Sequence, residues 1–150
     1  IGVIGHSLGG HNTLFLAAFD PRVAIAVSSC GFTSFEYYKG GDLSAWAQEK
    51  YMPRVATPYR CKPSYMPFDF VDVLKAILPR SLYICAPRHD SNFDRQGVVQ
   101  SIAELREYAQ ECDIEHICEV RYPDAGHSFP NESRIQAYDL IDECFSDTDQ

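Results

Sequence analysis

The chain has 150 residues and a formal net charge of −8, with 13 Lys and Arg against 21 Asp and Glu, which is one domain's worth of polypeptide. Its basic residues gather into no stripe, so the composition excludes a phosphate-tracking surface and, with it, nucleic acid as a partner. At 45% apolar residues it can bury a sizeable core, yet no apolar run approaches the ~18 residues of a membrane span.

Ile1 to Ile4 is a short, uniformly apolar run, the pattern of a strand buried on both faces of a parallel sheet. Ile1 stands inside this strand rather than at a plausible translation start, and the chain is read as a piece of a longer one. Leu8 to Phe19 reads as a helix closed by Asp20-Pro21, because proline disfavours helical geometry in the residue before it. Val23 to Val27 is the next strand, and strand, helix, strand at such short spacing requires a right-handed parallel βαβ unit. The stretch from Phe32 to Phe68 is irregular, rich in proline and aromatics, with one expected helix from Leu43 to Tyr51. Segments of this length without a strand are more often lids or binding excursions than connectors. Its Phe35, Tyr37, Tyr38, Trp46, Tyr51, Tyr59 and Tyr65 either line a substrate pocket or pack the excursion onto the body.

Asp69 to Leu78 reads as a short helix ended by Pro79, and Ser81 to Ala86 as the third buried strand. Asp94 to Glu111 carries Val98, Ile102, Leu105 and Tyr108 at helical three- and four-residue steps, with Asp94 as its N-cap. Ile117 to Tyr122 is the fourth strand, and a helix from Asn131 to Phe145, capped by Asn131, completes the fold. Ser146 to Gln150 is expected to fray. The expected class is therefore α/β, with a parallel sheet of about four strands flanked by helices.

Gly5-His6-Ser7-Leu8-Gly9, followed by Gly10, lies where the first strand hands over to the first helix. A G-x-S-x-G segment at such a turn is a nucleophile elbow: the serine occupies a strained turn that lifts its hydroxyl above the strand end, and flanking glycines let neighbouring backbone pass. The helix N-terminus behind it favours an anion, and the Leu8 N–H can donate to a tetrahedral oxyanion. A serine hydroxyl needs an imidazole to take its proton and a carboxylate to hold that imidazole's tautomer. Asp90, beyond the third strand, and His127, in the Gly126-His127 loop beyond the fourth, supply them in the order Ser, Asp, His.

Two other aspartates compete for the carboxylate role. Asp94 has the place of a helix cap, and Asp124 shares the histidine's own loop. His6, His11, His89 and His116 read as structural, hydrogen-bonded residues. A metal site from His6, His11, His89 and Asp90 lacks helical H-x-x-x-H spacing, and no cofactor motif is present. The six cysteines, Cys30, Cys61, Cys85, Cys112, Cys118 and Cys144, form no C-x-x-C pair. Cys30 and Cys85 read as buried small hydrophobes rather than nucleophiles, and a disulfide among Cys61, Cys112 and Cys118 stays open. Asn131-Glu132-Ser133 fits a glycosylation sequon but falls at a helix start.

Gly5-His6-Ser7-Leu8-Gly9-Gly10, Pro79-Arg80 before a strand that leads to Asp90, and Ala125-Gly126-His127-Ser128-Phe129 resemble the α/β-hydrolase superfamily. The likeness is to its dienelactone-hydrolase-like and prolyl-oligopeptidase-like branch, which includes acetyl xylan esterases. The resemblance implies that the chain is the C-terminal portion of one such domain, spanning its fifth to eighth strands, with a lid-like insertion at about 32–68. It implies a serine hydrolase acting on a small-molecule carboxylic ester through an acyl-enzyme on Ser7, with Asp90 and His127 completing the triad. Peptidases of the branch usually carry an aromatic residue where this chain has His6, and dienelactone hydrolases proper carry cysteine in place of Ser7. An exopeptidase of the prolyl oligopeptidase type and a catalytically idle binding domain are the alternatives. In the family a second oxyanion donor comes from a loop upstream of Ile1, and losing one such donor typically costs about 10² to 10³ in rate. The 150-residue stretch is thus expected to be inactive alone and active within a longer chain.

Overall fold

A computed structural model describes residues 1–49, 51–115 and 118–146. Four parallel strands, β1 (Gly2–His6), β2 (Ile25–Ser29), β3 (Ser81–Cys85) and β4 (Cys118–Arg121), form one sheet in the order β1-β2-β3-β4. They are joined by α1 (Leu8–Phe19), α2 (Phe70–Ile77) and α3 (Arg95–Glu111), and α4 (Asn131–Ser146) follows β4. Leu82 and Ile84 of β3 meet Leu14, Phe70, Leu74 and Leu105 of the first three helices in one core. The intervening Tyr83 and Cys85 meet Ala137 and Leu140 of α4 in a second core on the opposite face. Side chains alternate across a strand, so a strand covered on both faces must be apolar at every position, which is why the β3 run shows no alternation.

The register places His6 opposite Ser29, Ser29 opposite Cys85, and Cys85 opposite Arg121. All four strands therefore end on one row. The pairing continues one step beyond it, with Ser7 N–H donating to Ser29 O, Cys30 N–H to Cys85 O and Ala86 N–H to Arg121 O, each at 2.9 Å. Whatever follows each strand leaves from a common rim.

Several expectations need correction. The second strand runs two residues further on than 23–27, because its polar end is satisfied inside: Ser28 and Ser29 are wholly buried, and the Ser28 hydroxyl donates to Gly10 O at 2.9 Å. β1 is partly exposed along its length rather than buried on both faces. Among the described residues it pairs only with β2, and α4 packs mainly on β2 and β3, touching β1 near Gly2. Where a helix from Leu43 to Tyr51 is expected, the described residues 43–49 and 51 form turns and bends. Asp42 Oδ1 accepts from Ser44 N–H at 2.9 Å, Leu43 N–H donates to Cys61 O at 3.2 Å and Met52 N–H to Trp46 O at 2.9 Å. Trp46 is drawn into the core, stacked on His11 with ring centroids 4.7 Å apart, and tertiary packing overrides local propensity.

Elsewhere in the excursion short 3-10 turns occupy Tyr38–Gly41, Pro53–Val55 and Pro63–Tyr65. Asp69 anchors the far end. Its carboxylate accepts from Phe70 N–H and from Phe35 N–H, and Asp72 returns a bond to Asp69 N–H at 2.8 Å, completing a capping box on α2. Asp94 caps α3 through Gln96 N–H at 2.7 Å. Asn131 does not cap α4: Arg134 N–H donates to Pro130 O at 3.0 Å, so Asn131 already lies in the first turn. All six cysteines are free. His116, Ile117 and most of the tail expected to fray lie outside the described residues. Among those described, no helix is long and apolar enough to cross a membrane.

Candidate active site

The residue after β1 is Ser7, with φ 55° and ψ −119°, a conformation that costs a side-chain-bearing residue on the order of 1–3 kcal/mol. Serine at the start of a helix ordinarily caps it, but Ser7 makes no side-chain cap bond. Its hydroxyl is turned away from α1. The turn demands bare backbone at Gly5 and Gly10. A Cβ on Gly5 would overlap the Gly9 carbonyl, and one on Gly10 would lie 2.7 Å from Ser29 O and 3.1 Å from the Gly31 Cα. At Gly9, the second glycine of the pentad, a Cβ would meet nothing within 4 Å. Gly9→Ala is therefore expected to raise stability by about 0.5–1 kcal/mol, the usual gain for alanine over glycine in a helix. Gly10→Ala should lower it by about 1–3 kcal/mol, since backbone must move. Denaturant midpoints of the two variants lying on the same side of the parent would contradict this account.

His127 Nε2 lies 2.9 Å from Ser7 Oγ, and His127 Nδ1 lies 3.0 Å from both carboxylate oxygens of Asp90. A carboxylate can only accept, so Nδ1 carries the proton, Nε2 is left as acceptor, and the serine hydroxyl donates to it. The Asp90 side chain is 2% exposed. Its Oδ1 also accepts from Asn92 N–H at 2.8 Å and Phe93 N–H at 3.2 Å, so backbone fixes its plane. Leu8 opens α1, where an N–H has no carbonyl one turn back to bond. The three residues singled out in the sequence thus meet on the rim, and the competing aspartates do not join them. Asp94 is the helix cap, and Asp124 accepts from His89 Nε2 at 2.7 Å on the open surface.

Two further histidines stand close to the site. His6 places its ring 5.1 Å from that of His127 and pairs Nδ1 with Ser29 Oγ at 3.2 Å; burial and the neighbouring His127 lower its pKa. His11, one helical turn beyond Ser7, is 6% exposed, and its Nδ1 finds no hydrogen-bond partner among the described residues. The position was readable, since i and i+4 share a helix face. The metal grouping of His6, His11, His89 and Asp90 does not assemble. Among the described residues, the His, Cys, Asp and Glu groups close enough to share an ion are Cys30, Asp90 and His127.

Beside Ser7 opens a cavity of about 260 Å³, lined by Leu8, His11, Tyr38, Trp46, Gln48 and Phe93 among others. The aromatic excursion does both things expected of it. Tyr38, Trp46 and Tyr51 line the cavity, whereas Phe35 is buried in the core and Tyr37 and Tyr65 are exposed.

Burial lowers the His11 pKa to about 4, opposed by a hydrogen bond with the Gly31 backbone. The unfolded chain, with histidine near 6.5, binds the extra proton first as pH falls. The stability due to neutral His11 is therefore complete above about pH 6.5 and is lost progressively toward pH 4, a difference on the order of 3 kcal/mol. His11→Phe should remove that loss. Urea unfolding at pH 7 and pH 4.5 should show a markedly smaller drop in the variant than in the parent, and equal drops would refute it.

This parallel sheet, with a strained serine turn after one strand and facing loops after two others, defines an α/β-hydrolase fold. Solved structures agree at the level of fold. A carbohydrate esterase family 15 glucuronoyl esterase from Caldicellulosiruptor kristjansonii superposes with TM-score 0.70 at 20% identity, over 97% of this chain and 43% of its own. Acetyl xylan esterase 1 from Thermoanaerobacterium sp. JW/SL YS485 gives 0.62 at 22% identity, over 96% and 45%. A dienelactone hydrolase, so described as putative, from Klebsiella pneumoniae gives 0.55 at 18%, over 97% and 51%. The chain spans about half or less of each of these. A search of functionally curated proteins gave no match. The family model of the prolyl oligopeptidase family matches residues 1–146, and the chain belongs to that family.

Proposed function

We propose that this chain carries the catalytic groups of a serine hydrolase that cleaves a carboxylic ester. The observation that carries the reading is the unbroken hydrogen-bonded line from Asp90 through His127 to Ser7, with Ser7 held in a strained turn at a helix N-terminus. Ser7 attacks the ester carbonyl while His127 Nε2 takes its proton, and Asp90 stabilises the imidazolium. The Leu8 N–H and the positive end of α1 meet the developing oxyanion. His127 returns the proton to the departing alcohol, then activates water to release the acid from the acyl-enzyme.

The cavity beside Ser7 supports a small substrate. At about 260 Å³ it falls below the range of roughly 300–1,000 Å³ for drug-sized ligands. It suits a short acyl group on a compact, polar alcohol, with Trp46 and Tyr38 as ring platforms and Gln48 and Asn92 as hydrogen-bonding amides. The named activities of the glucuronoyl and acetyl xylan esterases favour the ester, whereas the family's name favours a peptide bond. The stretch works within a longer chain. Among the described residues β1 has no partner on its outer edge, and Ile4 on that strand is 44% exposed, an edge that further strands would cover.

The test uses the longer polypeptide, assayed with p-nitrophenyl acetate, an acetylated sugar and an aminoacyl p-nitroanilide. Turnover of the esters exceeding that of the amide, with Ser7 as the residue labelled by a fluorophosphonate, is the expected result. Preference for the amide would make it a peptidase, and neither turnover nor labelling would leave a binding domain.

A further inference from the structure

Each of the four strands delivers a residue to the catalytic rim. After β1 comes Ser7, and the loops beyond β3 and β4 bring Asp90 and His127. After β2 comes Cys30, for which the proposed chemistry has no role. Its backbone is as unusual as that of Ser7. Cys30 has φ 48°, in the left-handed region that residues with a Cβ seldom enter, although Gly31 stands next in the chain. A position where glycine would relieve the backbone holds cysteine instead.

The thiol explains the exchange. Cys30 is 2% exposed, and its Sγ donates to Ser128 O at 3.4 Å, on the loop that carries His127. The same sulfur lies within 4.8 Å of an Asp90 carboxylate oxygen and a His127 ring nitrogen. Behind it, the Ser29 hydroxyl reaches Sγ at 3.9 Å and also pairs with His6 Nδ1 at 3.2 Å. Burial first, and the Asp90 carboxylate second, push the thiol far above its ordinary range. It stays protonated, a donor and not a nucleophile.

We propose that Cys30 is a positioning residue of the hydrolase. Its strained backbone aims the thiol between the Asp90 carboxylate and the Ser128 carbonyl, tying the acid's loop to the histidine's loop so that the imidazole is held in line with Ser7. This rests on the Ser7, Asp90, His127 reading.

The experiment compares Cys30→Ala, Cys30→Gly, Cys30→Ser and Ser7→Ala in the longer, active polypeptide. Ala and Gly should lower kcat roughly 10- to 100-fold with KM little changed, the cost of a small misplacement of a reacting group. Ser, which keeps a donor, should recover most of the loss. A carboxylate aimed less well stabilises the imidazolium less, so the acid limb of the kcat profile should move to lower pH in Ala and Gly and return in Ser. The low-field proton resonance between His127 and Asp90 should shift or broaden in the same two variants. Cys30→Gly relieves the backbone, so if it melts no lower than the parent yet stays slow, the thiol and not the strain is what matters. Parental kcat, pH profile and resonance in Cys30→Ala and Cys30→Gly, with Ser7→Ala inactive, would overturn the positioning role alone. Full activity in Ser7→Ala would overturn the triad and the role of Cys30 with it.

Discussion

Alanine in place of Ser7 is expected to abolish ester turnover, lowering kcat by about 10⁴ to 10⁶, the usual size of the effect when a nucleophile and its base act as a unit. His127→Ala should cost as much. The double variant should cost no more than either, because once the 2.9 Å link between His127 Nε2 and Ser7 Oγ is gone there is no second contribution to lose. Asp90→Asn tests the other end of the line. An amide can donate as well as accept, and turning its NH₂ toward His127 Nδ1 moves the imidazole proton to Nε2, where it blocks proton transfer from the serine. A loss near 10⁴ is expected with the fold intact. Asp124→Asn is the control: that carboxylate bonds His89 on the surface and should change the rate less than about twofold. Steady-state kinetics on the five variants, with thermal melts to confirm folding, settle the matter. A Ser7→Ala rate within tenfold of the parent, or an Asp124 effect as large as that of Asp90, would defeat the assignment.

How far the sequence displayed this site depends on the distance over which each signal acts. The elbow was visible because most of its constraints are local: Gly5 is small for a reason set within five residues, against Gly9 and Gly10, while Gly10 is also pressed by Ser29 and Gly31 after β2, and the apolar run before them and the helix after them fix the turn. Asp90 and His127 were visible by position, since loops after strands of a parallel sheet converge on one rim and the shared row of strand ends holds them level. The helix from Arg95 to Glu111 followed from its apolar steps. The surroundings of Cys30 and His11 did not show in the sequence, because their partners lie far away in the chain: Ser128 for one, Trp46 and Phe70 for the other. The false helix at Leu43–Tyr51 has the same origin, with Trp46 committed to the core against His11. Ser28 and Ser29 hid the end of β2, because a buried polar residue looks like a turn until its partner is known.

Arg80 is the clearest case of a residue whose motif was noticed and whose work was not, and replacing it should produce the largest stability loss among surface-accessible positions. Its Nε donates to Ile77 O at 3.0 Å and its Nη2 to Ala76 O at 3.2 Å, at the end of α2. Nη1 reaches Ala17 O at 2.7 Å, Asp20 O at 3.0 Å and Val23 O at 3.2 Å, at the end of α1 and the approach to β2. Helix C-termini leave carbonyls without intrahelical partners and carry roughly half a negative charge. One planar guanidinium, with five N–H groups in a fixed fork, answers two such ends at once and binds the helix after the elbow to the strand leading toward Asp90. Arg80→Met keeps the aliphatic stem and strands these carbonyls. Allowing for water reaching some of them, the expected loss is about 2–4 kcal/mol, or roughly 6–12 °C in Tm for a domain of this size. Arg80→Lys, a point charge with three donors, cannot span both helix ends and should recover less than half. Because α1 carries the serine turn at its other end, the methionine variant should also lose activity at temperatures well below its own melting point. Melting of Arg80→Met within about 2 °C of the parent would mean that these carbonyls are equally well served by water, and that the fork contributes nothing to holding the two helices together.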